Sequence, residues 1–123
     1  MNYGRHVLIV DDDRNILEVL DARLSAAGFV VHKAEDGLGA LQILKTLNVD
    51  ILVSDMKMPA MSGLELLAQA RIRCPHLPVI FLTAYGTIPD AVHAVRAGAV
   101  DYLTKPFDGR ELVAKIQTIL ALQ

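Results

Sequence analysis

The chain has 123 residues, 53% of them hydrophobic, with 12 Lys plus Arg against 14 Asp plus Glu and a formal charge of −2. That length suits one domain with a buried core, and the apolar share excludes a disordered chain. The slight acidic balance argues against a dedicated nucleic-acid binder, which needs cations to neutralise phosphates.

Val7-Leu8-Ile9-Val10 is a continuous apolar run, the pattern of a strand buried on both faces. Asp11, Asp12 and Asp13 follow. Ten of the fourteen acids are Asp, a residue favoured at caps, turns and metal sites rather than inside helices. Leu17, Leu20, Leu24 and Ala27 then recur at helical spacing, and Gly28 suits the C-terminal cap. Phe29 to Ala34 reads as a second strand, alternating enough for a sheet edge. Asp36-Gly37 turns the chain, and Ala40, Leu41, Leu44 and Leu47 mark the next helix.

Ile51-Leu52-Val53-Ser54 is another buried strand, ending at Asp55. Met56 to Gly63, holding Pro59, reads as a loop, and Leu64, Leu67 and Ala68 start a helix that stops before Pro75. Pro78 to Leu82 is the fourth strand, ending at Thr83. Ile88, Ala91, Val92 and Val95 predict a fourth helix with Pro89 in its first turn, where proline is tolerated, and Gly98 closes it. Val100 to Leu103 is a short fifth strand, and Leu112, Ile116, Ile119 and Leu120 mark a last helix. Five βα units in series predict an α/β fold, a parallel sheet with right-handed crossovers and helices on both faces.

A single cysteine, Cys74, forms neither an internal disulfide nor a zinc cluster, and beside Pro75 it reads as an inert surface thiol. No apolar run approaches the ~20 residues of a membrane span, and the first residues lack the pattern of a signal peptide. The expectation is one cytoplasmic domain over residues 1–123.

Ligands of parallel sheets sit beyond the carboxyl ends of the strands. That edge gathers Asp11, Asp12 and Asp13, then Asp55, then Thr83-Ala84, then Lys105-Pro106. Carboxylates brought close together repel, and protonation or a cation relieves them. Mg²⁺, a hard ion served by a few carboxylates, a carbonyl and waters, is the natural partner. Lys105 adds a mobile positive charge and Thr83 a hydroxyl donor. This set suits phosphoryl transfer onto a carboxylate, with positioning and charge neutralisation supplying the catalysis. Asp55 is the candidate nucleophile because it stands alone at the end of the presumed central strand. Asp11 and Asp12 are clustered as metal ligands should be, and Asp13 is assigned to a helix N-terminus.

Val10-Asp11-Asp12-Asp13, Ser54-Asp55-Met56-Lys57-Met58-Pro59, Ser62-Gly63, Leu82-Thr83-Ala84, Gly98-Ala99 and Asp101 to Asp108 form an ordered set along essentially the whole chain. This set resembles the receiver domain of bacterial two-component response regulators. The resemblance implies a five-stranded parallel sheet of flavodoxin-like order 2-1-3-4-5. It also implies that Asp55 accepts a phosphoryl group from a sensor histidine kinase. Asp12, Asp55 and the Lys57 backbone carbonyl would ligate Mg²⁺ directly, and Asp11 would act through a metal-bound water. Lys105 would pair with the phosphoryl group across a Lys105-Pro106 bond expected to be cis. Thr83 would move toward the phosphoryl oxygen, Tyr102 would turn inward behind it, and the surface of helix four, strand five and helix five would switch.

Thr83 to Val92 followed by Lys105 to Asp108 further resembles receivers of the NtrC type. Those usually precede an ATPase that activates sigma-54 polymerase and a DNA-binding domain. The implied partners are thus a kinase, an output domain outside this chain controlling transcription, and a second copy on phosphorylation. Arg96, Asp101, Arg110, Glu111 and Lys115 could supply a charged dimer face. Tyr85, two residues past Thr83, is a candidate gate for water at the phosphoryl group.

An enzyme reading competes: a haloacid-dehalogenase-like phosphatase with Asp11 as nucleophile and Asp13 two residues on. The short chain, the missing cap insertion and the missing later acidic pair oppose it. A flavodoxin-like carrier is excluded by three aspartates where a phosphate loop would need hydroxyls and glycines. The expected protein is a switch that phosphorylates and dephosphorylates itself without independent substrate turnover.

Overall fold

The apolar runs become strands and the periodic stretches become helices. In the computed structural model, which describes residues 4–84 and 88–121, β1 (His6–Val10), β2 (Val30–Ala34), β3 (Ile51–Asp55), β4 (Val79–Thr83) and β5 (Asp101–Thr104) alternate with α1 (Arg14–Ala26), α2 (Gly37–Thr46), α3 (Gly63–Arg73), α4 (Ile88–Arg96) and α5 (Gly109–Ala121). All strand pairs are parallel and the order is β2-β1-β3-β4-β5, as expected.

The sheet divides two apolar layers. Val7, Ile9, Ile51, Val53, Ile80 and Leu82 face α1 and α5, meeting Leu17, Leu20, Leu24, Leu112 and Ile116. Leu8, Val10, Leu52, Val79 and Phe81 face the other way, onto Leu66, Leu67, Ala70 and Ala94 of α3 and α4 and Ala40 and Leu44 of α2. The three central strands are therefore apolar on both faces, and polar residues are forced to their ends. Each fully buried Leu or Ile contributes about 1.5–3 kcal/mol, so this double layer is what fixes the strand ends in space.

Caps set the helix starts. Asp13 Oδ1 accepts the Asn15 N–H at 2.9 Å, Asp36 Oδ1 accepts the Gly39 N–H at 2.7 Å, and Ser62 with Glu65 forms a capping box on α3. Gly28 and Gly98 take positive φ where α1 and α4 stop.

Three details differ from the expectation. α3 buries Gly63, Leu66, Leu67 and Ala70, while Ala68 is exposed. Leucines at 64, 66 and 67 do not by themselves choose a face, and the two small residues let the helix come close to the sheet. On α4, among the side chains described from Val92 on, Val92 and Val95 are exposed and Ala94 is buried. Cys74 is half-buried rather than a surface thiol, packing beside the α2–α3 layer. Among the described residues no helix is long and apolar enough to cross a membrane.

Candidate functional site

Each functional side chain is held where a buried strand meets the sheet's carboxyl edge. Asp11 follows β1 directly, and its N–H continues the ladder to the Ala34 carbonyl at 3.2 Å. Its carboxylate is 1% exposed. Oδ1 accepts the Asp13 N–H at 2.9 Å and Oδ2 accepts Lys105 Nζ at 2.8 Å. Both oxygens of a buried anion are thereby partnered, as burial requires.

Asp55 is the last residue of β3 and is 8% exposed. Its Oδ1 receives the Lys57 N–H at 3.4 Å, and Lys105 Nζ lies 3.4 Å from Oδ2. The lysine thus sits between two carboxylates and lies nearer Asp11. Asp12 is exposed, yet one oxygen each of Asp11, Asp12 and Asp55 lie within 4.8 Å of one another. Two buried carboxylates share one lysine, with a third carboxylate close by.

That imbalance is visible in the acidities. Burial pushes the Asp55 carboxyl above its ordinary range, and Asp11 adds to the rise. The Lys105 charge and the Lys57 N–H oppose it without cancelling it. For Lys105, burial favours loss of the proton, but the bond to Asp11 and the charges of Asp11 and Asp55 outweigh burial and hold the ammonium above its ordinary value.

Thr83 closes β4, 4% exposed, and its carbonyl accepts the Lys105 N–H at 2.6 Å. The ends of β4 and β5 are thereby joined directly under the site, where the Lys105–Pro106 peptide is cis. Tyr102 on β5 is half-buried against the layer beneath α3 and α4. The candidate gate Tyr85 lies outside the described residues.

Asp11, Asp12, Asp55, Thr83 and Lys105 therefore converge, and Asp13 does not join them. Its carboxylate caps α1, so the pairing of Asp11 with Asp13 that a phosphatase reading needs is not formed. The charged residues suggested for a dimer face partly pair within the chain: Lys115 Nζ meets Asp101 Oδ2 at 2.8 Å, and Arg110 meets Asp108 at 3.0 Å.

Sequence reasoning did not give a role to several supports of the site. Gly63 has no room for a side chain: a Cβ there would stand 2.9 Å from Met56 Cα and 2.9 Å from Phe81 Cε1, and closer still to the Asp55 carbonyl oxygen. Met61 leans on Gly37 of α2, a long-range contact with no local pattern to announce it. Arg71 binds the Leu77 carbonyl and, at 2.9 Å, the Gly98 carbonyl, tying α3 to the end of α4.

A parallel sheet of this order, with a buried carboxylate at the end of its central strand beside further acids and a lysine, defines a class of phosphoacceptor modules. The chain belongs to the response regulator receiver domain family, whose sequence model matches residues 7–117. It is 43% identical over 115 residues to the transcriptional regulatory protein GlrR of Escherichia coli K12, covering 94% of this chain and 26% of that protein. It is 44% identical over 115 residues to the DNA-binding transcriptional regulator NtrC of the same organism, covering 94% and 24%. The chain thus spans about a quarter of the length of these curated relatives. Among solved structures, the CheY-like receiver domain protein of Methanospirillum hungatei superposes with a TM-score of 0.89 at 32% identity, covering 95% and 94% of the two chains. The receiver domain of the Francisella response regulator 1452 does so at 0.90 and 32%, covering 96% and 98%.

Proposed function

We propose that Asp55 is the phosphoacceptor of this receiver and that residues 1–123 are the N-terminal module of a longer cytoplasmic transcriptional regulator, phosphorylated by a sensor histidine kinase. The observation that carries this reading is the cluster of three carboxylates at the end of the central strand, two of them, Asp11 and Asp55, held by Lys105.

The donor set supports a divalent cation. Three hard carboxylate oxygens within 4.8 Å of one another fit Mg²⁺, with Asp12, Asp55 and the Lys57 carbonyl as direct ligands and Asp11 acting through water. Bound there, Mg²⁺ would supply positive charge to the phosphoryl oxygens. The chain's own residues do the rest. An Asp55 oxygen forms the new O–P bond as the bond from phosphorus to the donor breaks, and the donor leaves with that electron pair. Lys105 moves from Asp11 toward the incoming phosphoryl oxygens, and the Thr83 hydroxyl donates to another. The product carries close to two negative charges, which Thr83 and Lys105 follow, and Tyr102 fills the space behind Thr83. The face of α4, β5 and α5 then changes, pairing with a second copy or with the output domain. Nothing in this cycle turns over an independent substrate.

Intact mass after incubation with acetyl phosphate tests the assignment. A single adduct of ~80 Da that needs Mg²⁺ and is absent from Asp55→Asn is the expected result. An adduct that survives Asp55→Asn would move the nucleophile elsewhere.

A further inference from the structure

We propose that the first turn of α2 is a second support of the phosphoacceptor site: Gly37 seats Met61, and this seat holds the β3–α3 loop in the geometry that binds a divalent cation. The proposal rests on the cation reading above and adds two positioning residues to it.

The loop from Met56 to Ser62 carries the Lys57 backbone that faces Asp55. Main-chain bonds close it at both ends: the Met56 N–H reaches the Leu82 carbonyl at 3.0 Å and the Gly63 N–H reaches the Met56 carbonyl at 2.9 Å. Between those points the loop holds itself with a γ-turn, Met61 N–H to Pro59 carbonyl at 2.7 Å, centred on Ala60 at φ 67°. The Lys57 N–H reaches Asp55 Oδ1 at 3.4 Å, and the half-buried Met58 and Met61 pack the loop onto the core. Met61 is half-buried and reaches across to α2.

There it lies against a bare Cα. A Cβ added to Gly37 would stand 2.5 Å from Met61 Sδ, 2.9 Å from Cγ and 3.0 Å from Cβ. The thioether tip could swing aside, but the Met61 Cβ moves only with its backbone. A methyl group at Gly37 therefore pushes on the loop itself. The seat is rigid on its other side, because the Asp36 carboxylate fixes the first turn of α2 and the Asp11 N–H bonds the Ala34 carbonyl two residues earlier. α2 thus spans the two chain segments that present Asp11 and Lys57, and their separation depends on its first turn. The backbone of Gly37 needs no glycine, since its φ lies outside the left-handed region. Alanine there favours the helix while disturbing the loop, which separates folding from positioning.

The test is Mg²⁺ titration of the intact chain by calorimetry, with circular dichroism to establish folding, on wild type, Gly37→Ala, Met61→Ala and the double variant. Gly37→Ala should bind Mg²⁺ about 10-fold more weakly, the scale of lost second-layer support. Met61→Ala should lose about threefold. The double variant should match Met61→Ala to within about twofold, because the added methyl group then meets no side chain. Acetyl phosphate labelling at saturating Mg²⁺ should recover in the same order. Wild-type affinity in folded Gly37→Ala would overturn the proposal alone, as would a loss that Met61→Ala leaves unrescued. If Gly37→Ala did not fold, unchanged affinity in Met61→Ala would overturn it. Absence of Mg²⁺ binding by the unaltered chain would overturn the cation reading and the proposal together.

Discussion

Gly63→Ala sets two effects of known size against each other. Gly63 is the first residue of α3, and its N–H donates to the Met56 carbonyl at 2.9 Å. Alanine in a helix gains up to about 1 kcal/mol over glycine, less in the first turn. Against this, the new methyl group would meet the Asp55 carbonyl oxygen, Met56 Cα and Phe81 Cε1, all at under 3.0 Å. None of the three is a loose side-chain tip. Asp55 ends a strand buried along its whole length, the Met56 N–H bonds the Leu82 carbonyl, and Phe81 is 0% exposed. The start of α3 must therefore retreat, at an overpacking cost of about 1–3 kcal/mol plus about 0.5–1.5 for the stretched hydrogen bond. The net expectation is a loss of about 0.5–4.5 kcal/mol, a fall in Tm of about 4 °C for each kcal/mol in a domain of this size. Urea titration followed by circular dichroism reads it directly. Phe81→Leu removes one of the three obstacles, so the double variant should lose less than the two single losses added together. An unchanged or raised urea midpoint in Gly63→Ala would refute the reasoning, because it would mean that α3 can withdraw from β3 without cost.

Four further outcomes can be measured the same way. Ala60→Gly should stabilise the chain by about 0.5–1 kcal/mol, relief of left-handed strain at φ 67° exceeding the entropy cost of glycine; a lower urea midpoint would count against it. Arg71→Ala removes the donor to the Leu77 and Gly98 carbonyls and should cost about 1–3 kcal/mol. Hydrogen exchange at Ala97, Gly98 and Ala99 should quicken, and unchanged exchange would show that the guanidinium ties nothing. Burial, then the neighbouring His6, hold His32 below its ordinary value of 6.5, so the unfolded chain takes up a proton that the folded chain refuses. Stability should therefore fall as pH drops below that value, and His32→Gln should flatten the slope. Asp55 runs the opposite way: its raised pKa means the folded chain holds the proton longer, so its contribution falls as pH rises above 3.8. Asp55→Asn should remove that fall, and its advantage over wild type should grow from acid to neutral pH.

Much of the fold and site was legible because each functional residue follows an apolar run. Asp11 after Val7–Val10, Asp55 after Ile51–Ser54 and Thr83 after Val79–Leu82 are polar residues that a doubly covered sheet can place only at its ends. The common edge then brings Lys105 to them across 94 residues of sequence. What stayed hidden depends on close approach. Gly37 reads as a turn residue until Met61 is seen against it, and Gly63 reads as a loop end until Phe81 is seen beneath it. The valines of α4 mark the helix correctly without saying which face is buried. An apolar stripe predicts burial only where something covers it, and among the residues described from Val92 on, Val92 and Val95 face outward while Ala94 is buried.

The same packing says where a change of charge at Asp55 can be felt. The central strands are dry on both faces, and α5 is held by Leu112, Ile116, Ile119 and Leu120. Shifting either exposes several side chains worth about 1.5–3 kcal/mol each. From Val92 to Arg96, α4 buries one methyl group, that of Ala94. Its far end is tied down, with the Gly98 carbonyl on Arg71 and the Val100 N–H on the Val79 carbonyl at 2.8 Å. Its near end comes shortly after Thr83, which ends β4 beside the proposed phosphoacceptor Asp55. On the proposed reading, a phosphoryl group that drew Thr83 and Lys105 toward Asp55 would pull on the chain between β4 and α4, a helix that from Val92 to Arg96 has only the Ala94 methyl group to unseat. The expected change is therefore at the exposed Val92 and Val95, with the sheet, α5 and the Arg71 contact at Gly98 keeping their packing.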